Sequence, residues 1–296
     1  MLKLGNTYLN FGGTYLTGWK AFDPLNPLDL PPYTIRLKYK DGITPSFRMG
    51  SGVQVSQNPN IWDLTYENSN WNSMFYNWSP TTDLLEVLGA NTRGVTTMRD
   101  MFEKNASLNK VALFDTSMVN NTMAMFYGCS SLTEIPLYDT SNVSAMAGMF
   151  RDCYSLSSVP ELNTNKTSSM DSVFSFCSSL KTAPFFNTNN VTTMGGMFDH
   201  CSSLEYVPSY DTSNVTSMSY MFRECVSLKD PPVMDTSNVT SMGFMFYECS
   251  SMSSLPEYNT AKVKDFQYTF DGCKSLSSTP NFDLRSVGLM RGMYVH

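Results

Sequence analysis

Seven cysteines stand at Cys129, Cys153, Cys177, Cys201, Cys225, Cys249 and Cys273, each 24 residues after the one before. Thiolates are nucleophiles and soft metal ligands, so this file is the first place to look for chemistry. Its spacing argues against a metal, because a structural zinc site draws on paired ligands such as Cys-x-x-Cys and here each repeat offers one thiol. Buried cysteine behaves as a small apolar group, and the file reads as reduced, interior thiols. A second candidate is the recurring turn at Asp115, Asp139, Asp211, Asp235 and Asp283, which stacked carboxylates could convert into a calcium ladder. The same column holds Asn91, Asn163, Asn187 and Asn259, and that mixture suits turn formation through side-chain-to-backbone bonds rather than a charge ladder. The two histidines are His200 and His296. His200 is expected at an exposed, variable position without a fixed nucleophile or orienting acid. No catalytic residue, cofactor or metal is therefore assigned. Asn142, Asn190, Asn214 and Asn238 each open an Asn-x-Ser/Thr triplet of the glycosylation type. They recur because the turn recurs, and a cytoplasmic product would leave them bare.

The elements that must position these residues follow one period. Phe102, Phe126, Phe150, Phe174, Phe198, Phe222, Phe246 and Phe270 keep the 24-residue step, with Tyr294 next, and so do Pro136, Pro160, Pro184, Pro208, Pro232, Pro256 and Pro280. Insertions are normally tolerated in loops; a chain without them over this length has every turn stacked on its neighbours. Such a fixed period marks a solenoid, which grows without a central core. In the coil 139–162, Val143, Met146, Phe150 and Cys153 recur at steps of three and four, the helical period. Each coil is thus predicted to hold a helix of two or three turns, capped by Thr140 or Ser141. Leu156 and Val159 predict a very short parallel strand, cut off by Pro160. Strands stack at about 4.8 Å and helices at about 8–10 Å, so the solenoid is expected to curve with strands on the concave side. Helix spacing would also keep neighbouring cysteines too far apart for disulfides, which need Cα atoms within about 7 Å.

The net charge of −6 and pI near 4.9 argue against nucleic acid as a partner. No apolar run reaches the roughly 18 residues of a bilayer span, so no membrane is expected. The first residues show no basic segment followed by an apolar one, so no export signal is expected and the protein is read as made in a cytoplasm.

Ahead of the repeats, residues 1–32 read as an arm, rich in glycine and aromatics and then in proline, and a possible docking segment. Residues 33–58 alternate apolar and polar, with Ile35, Leu37 and Tyr39 on one face and a turn at Lys40-Asp41-Gly42, which is the pattern of a small β unit with a hairpin. Residues 59–90 read as a degenerate capping coil in which Trp71 takes the methionine position, Met74-Phe75 match the Met-Phe pair and Trp78 replaces the cysteine. Leu84 and Val87 rejoin the register after three extra residues. The rival reading makes Trp62, Trp71 and Trp78 a ligand platform.

The unit Asp-Thr-Ser-Asn-Val…Met…Met-Phe…Cys-Ser-Ser-Leu, over residues 91–296, resembles the short-period BspA-like leucine-rich repeats. That resemblance implies an α/β fold, a leucine-rich-repeat-type β/α solenoid, in a family of bacterial surface, protist and phage structural proteins with roles in adhesion or recognition. Combined with the missing export signal, it leads to a non-enzymatic recognition protein. The first setting is a phage virion component (fibre, tail or head decoration), made in the host cytoplasm and presenting the solenoid to host glycans or proteins. A bacterial cell-surface adhesin and an intracellular scaffold are the alternatives. Positions that vary between coils mark the surface. One such column, along the strand, supplies the candidate ligand-binding residues Lys110, Glu134, Thr182, Tyr206 and Asp230. A second follows the phenylalanine: Glu103, Tyr127, Arg151, Ser175, Asp199, Arg223, Tyr247 and Asp271. Trp19, Tyr33, Met290, Met293 and Tyr294 are candidate assembly contacts, through the arm and an open C-terminal coil, to other virion or surface proteins or to a second copy in a homo-oligomer.

Overall fold

The computed structural model describes residues 2–4, 7–9, 30–31, 33–41, 51–54, 60–65, 71, 83–278 and 281–293. Strands β1 (Leu2–Leu4) and β2 (Thr7–Leu9) form an antiparallel pair. Strands β3 (Thr34–Tyr39), β4 (Ser51–Gln54), β5 (Ile61–Thr65), β6 (Leu84–Asn91) and β7 (Lys110–Val111) form one sheet in the order β4-β5-β3-β6-β7. The alternation in β3 holds: Ile35, Leu37 and Tyr39 are buried together. On the other face Arg36 grips its cross-strand partner Asp63 through Nε at 2.7 Å and Nη2 at 2.6 Å. The expected hairpin partner is different, however. β3 pairs antiparallel with β5 and β6, and β4 lies beyond β5.

β6 turns this sheet into a stack. One edge is antiparallel to β3; the other is parallel to β7, with Glu86 opposite Lys110 and Val87 opposite Val111, one full coil apart. Trp71 is fully buried and its amide donates to the Thr97 carbonyl at 3.0 Å. It occupies the methionine position three residues out of step, as a member of the core. The side chains of Trp62 and Trp78 lie outside the described residues, as do Met74 and Phe75.

From residue 91 onward, 24-residue coils lie one on another, and the coil beginning at Asp211 shows the construction. Asp211 Oδ1 accepts the Ser213 amide at 3.0 Å and turns the chain. Thr212, buried, donates its hydroxyl to the Asp235 carbonyl of the next coil at 2.9 Å, and Asn214 Nδ2 donates to the Asn189 carbonyl of the previous one at 2.8 Å. Parallel bridges then run from Thr193 to Ser217 to Ser241 to Asp265 to Leu289. Val215, Met218, Met221, Phe222, Cys225 and Leu228 are all fully buried.

The predicted helix is absent: among the described residues there is no α-helix. Through the Met-Phe segment, alternate amides leave the coil altogether. Met218, Tyr220, Phe222 and Glu224 donate to the carbonyls of Ser241, Gly243, Met245 and Tyr247, all on the next coil. The amides between them close tight turns: Met221 to Met218, Arg223 to Tyr220 and Cys225 to Phe222. Two residues per coil, four apart, take a left-handed backbone to allow this, here Tyr220 at φ 61° and Glu224 at φ 57°. Such conformations cost on the order of 1–3 kcal/mol for a residue with a side chain. The inter-coil bonds, and the burial of large apolar side chains at about 1.5–3 kcal/mol each, offset that cost. A run of three-residue turns repeats its apolar positions at steps of three and four, which is why the sequence period imitates a helix.

Three expectations fall with the helix. Thr140 does not cap one; its hydroxyl reaches the Asn163 carbonyl of the following coil at 2.8 Å. The helix–strand mismatch expected to curve the stack loses its premise with the helix, and the phenylalanine rings stack at 5.5–5.9 Å. And it is not helix spacing that keeps the thiols unbridged. Each is buried and free, and its Sγ donates to the phenylalanine carbonyl 27 residues earlier, as Cys225 does to Phe198 at 3.1 Å. The strand at 156–159 is also absent. On that side β7 and a single bridge, Thr182 to Tyr206, are the strand pairings, with scattered amide bonds such as Glu205 to Lys181 at 2.8 Å. Proline has no amide to give to a ladder.

Burial pushes every thiol above the ordinary range, Cys273 to about 12. In the unfolded chain the thiols lose their protons near pH 9, while in the folded chain they keep them, so stability attributable to these groups is complete below pH 9 and declines as the pH rises from there toward about 12. Denaturant titrations at pH 8 and pH 10.5 should show the midpoint falling. At pH 8 the native protein should react with a thiol reagent at rates far below those of the denatured chain, with Cys273 modified first.

Candidate recognition face

Lys110, Glu134, Thr182, Tyr206 and Asp230 are all exposed and fall on one face, with Ser158, Ser254 and Ser278 completing the column. Local chemistry explains why. Within most coils the segment ends in two inward apolar residues, the second usually a ring, as Val111 and Phe114 or Ile135 and Tyr138, so the residues between and before them point out. The column three positions on was not singled out from the sequence. It presents Leu113 (57% exposed), Leu137 (61%), Phe185 (56%) and Val233 (67%), while Tyr206 (59%) comes from the first column. Glu161, Ser209 and Glu257 take the same place on intervening coils and are also exposed. Large apolar side chains are thus displayed, with polar residues between some of them, on a face whose inward positions are already filled.

The opposite, turn-bearing face corrects the second variable column. Glu103, Ser175 and Asp199 are buried there rather than exposed, and burial raises the Glu103 carboxyl above its ordinary range, against the opposing pull of Lys104. Asp199 receives Arg223 of the next coil through Nε at 2.7 Å and Nη2 at 2.8 Å. That bond to Asp199 holds the Arg223 guanidinium above its ordinary pKa. His200 is part-buried and does have orienting acids. Its Nδ1 lies 2.7 Å from Asp199 and its Nε2 3.0 Å from Glu224, with the Phe176 ring stacked on it at 4.1 Å. Both ring nitrogens face carboxylates, so neither is placed to take a proton from a nucleophile. The cluster ties three successive coils together.

The turn column is occupied by its own backbone. Asp139, Asp211 and Asp235 accept the amides of Ser141, Ser213 and Ser237 at 2.9, 3.0 and 2.9 Å, and Asn163 and Asn187 do the same for Asn165 and Asn189. These bonds, with those from the serine hydroxyls, hold the three carboxyls below their ordinary range. Among the described residues no group of three or more His, Cys, Asp or Glu gathers to hold a metal, and no helix is long and apolar enough to cross a membrane.

Of the proposed assembly contacts, Tyr33 packs against the core of its own chain. Met290 is half exposed, and Met293 is buried with its carbonyl accepting the Phe270 amide at 3.1 Å. Trp19 and Tyr294 lie outside the described residues.

These features define a repeat solenoid that displays apolar side chains on one face. The chain belongs to the family described as "Mycoplasma protein of unknown function, DUF285", which matches residues 69–185 and 168–282. Curated protein sequences gave no match. Among solved structures, a leucine-rich repeat protein from Eubacterium ventriosum is similar, with 18% identity, 66% of this chain and 64% of that one covered, and a TM-score of 0.42. The chain therefore spans less than two thirds of that protein's length.

Replacing Arg223 with leucine would leave the Asp199 carboxylate, most of it out of water, with His200 in place of its two guanidinium bonds. Hydrogen bonds to charged groups contribute about 1.5–3 kcal/mol, and a loss of that order is expected in equilibrium unfolding, with little loss for Arg99→Leu, whose guanidinium bonds to Asp100 at the surface.

Proposed function

We propose that this chain is a non-catalytic recognition protein that engages a partner through the face carrying Leu113, Leu137, Phe185, Tyr206 and Val233 together with Lys110, Glu134, Thr182 and Asp230. The observation that carries the reading is the set of apolar side chains more than half exposed on one face of a stack whose core is otherwise closed. Aliphatic members (Leu113, Leu137, Val233) favour a protein partner over a glycan, because sugars stack on aromatic faces while aliphatic side chains seek apolar pockets. Rigid side chains on a rigid scaffold also lose little entropy on binding. The family's description as a mycoplasma protein favours a cellular setting over a virion, and the same face would serve either.

The triple change Leu137→Ser, Phe185→Ser and Val233→Ser removes apolar area from the face without touching the core. It should leave the melting temperature within about 2 °C, as surface substitutions generally do, and abolish cross-linking of the wild-type protein to proteins on intact host cells. Retained cross-linking in a folded triple variant would refute this face. Binding to a glycan array with none to cell-surface proteins would refute the protein partner.

A further inference from the structure

The turn-bearing face carries a second feature, separate from the recognition face. At Tyr127 the ring is held by two cations of the chain itself. Lys104 Nζ, from the preceding coil, lies 5.8 Å from its centroid and the Arg151 guanidinium, from the following coil, 5.6 Å. The backbone fixes this arrangement, the Lys104 amide donating to the Tyr127 carbonyl at 2.6 Å. Five coils further along, Tyr247 takes the same place, and the Glu224 amide donates to its carbonyl at 2.7 Å. The partners are inverted. Where Tyr127 has Lys104, Tyr247 has Glu224; where Tyr127 has Arg151, Tyr247 has Asp271. Glu248 follows Tyr247 directly, and among the described residues no lysine or arginine lies over the Tyr247 ring.

The surroundings form a corner. Phe244 meets Tyr247 at 5.7 Å between centroids and 57° between planes. Phe244 is also the middle ring of a part-exposed stack, Tyr220–Phe244–Tyr268, with 5.0 Å between neighbours. All three stand in the left-handed column, at φ 61°, 58° and 52°, where other coils place Gly148, Gly196 and Gly292. The fold asks for no aromatic there; three consecutive coils supply one. Elsewhere on this face the chain seats its own guanidinium on the first of these rings, Arg223 lying 5.0 Å from the Tyr220 centroid.

We propose that the corner of Phe244 and Tyr247, flanked by Glu224, Glu248 and Asp271, is a binding site for the guanidinium group of an arginine on a basic partner segment. An aromatic face attracts a cation, and carboxylates on both sides can accept the planar hydrogen bonds of a guanidinium, which a quaternary ammonium cannot offer. Glu224 already holds His200 Nε2 of the preceding coil at 3.0 Å. The chain fills the equivalent place at Tyr127 from within; at Tyr247 it leaves the ring, Glu248 and Asp271 for an outside cation.

The test is a titration of the full chain with a fluorescein-labelled tetra-arginine peptide, followed by anisotropy. Saturable, salt-weakened binding is expected, at least tenfold tighter than for the citrulline peptide and not displaced by choline. The double variant Glu224→Lys with Asp271→Arg recreates around Tyr247 the residues that already fold around Tyr127. It gives up the Glu224 contact to His200 and so should melt somewhat below the wild type, and it should bind at least tenfold more weakly. Tyr247→Leu carries the same expectation for binding should the double variant melt low. Glu161→Lys with Glu257→Lys, on the other face, reverses as much charge and should change binding less than twofold. Equal binding of the citrulline peptide, displacement by choline, unchanged binding in the site variants, or equal loss in the control would each overturn the assignment.

Discussion

The structure depends on one constraint: every coil must present its amides to the carbonyls of the next coil in register. Between Met218 and Glu224 four alternate amides do this within seven residues, and the Thr212 hydroxyl adds a fifth bond at the turn. A coil one residue longer would misalign all of them together and would move Phe222 out of the ring stack. That explains the absence of insertions. It explains too why Tyr220 and Glu224 tolerate a left-handed backbone, since the next coil over-determines their conformation. The thiol column follows from the same register: each sulfur sits at the level of a phenylalanine carbonyl and answers it.

The columns were legible because the period writes them out. Cysteine, phenylalanine and methionine positions read from spacing alone are the buried ones, and Asp211 and its equivalents make the turns assigned to them. What spacing could not tell was backbone conformation. Val215, Met218, Phe222 and Cys225 fall at steps of three and four in a helix and in a run of tight turns alike. A signal was present in the glycines at 128, 148, 196, 272 and 292, which fall in two columns four residues apart and all adopt positive φ. A helix interior does not favour glycine; a recurring left-handed position does. The presence of Tyr220, Phe244, Glu224 and Glu248 in the same columns hid it.

Variation between coils proved an uneven guide to the surface. It marked Lys110, Glu134 and Tyr206 as outward. It failed for Glu103, Ser175 and Asp199, because a column that changes in step with its neighbour can pair internally, as Asp199 does with Arg223. Leu113, Leu137, Phe185 and Val233 were overlooked for the opposite reason. Apolar residues in a repeat are read as core, and only the positions of Phe114, Tyr138, Phe186 and Met234 beside them show that the core was already filled. The two faces thus differ in kind: one offers apolar side chains, the other rings and charges arranged by the turns.

The junction of β6 with β7 has a consequence for how the chain finds its structure. Neighbouring coils such as those beginning at Asp211 and Asp235 are near copies, so either could dock one place too far along and meet almost the same bonds. The backbone bonds inside the array are the same from copy to copy, and only local pairs such as Asp199 with Arg223 tell one from the next. β6 is different, because its other edge is committed to β3 and its parallel edge accepts Lys110 and Val111. Assembly that starts there and proceeds coil by coil counts correctly, and a ribosome delivers the coils in that order.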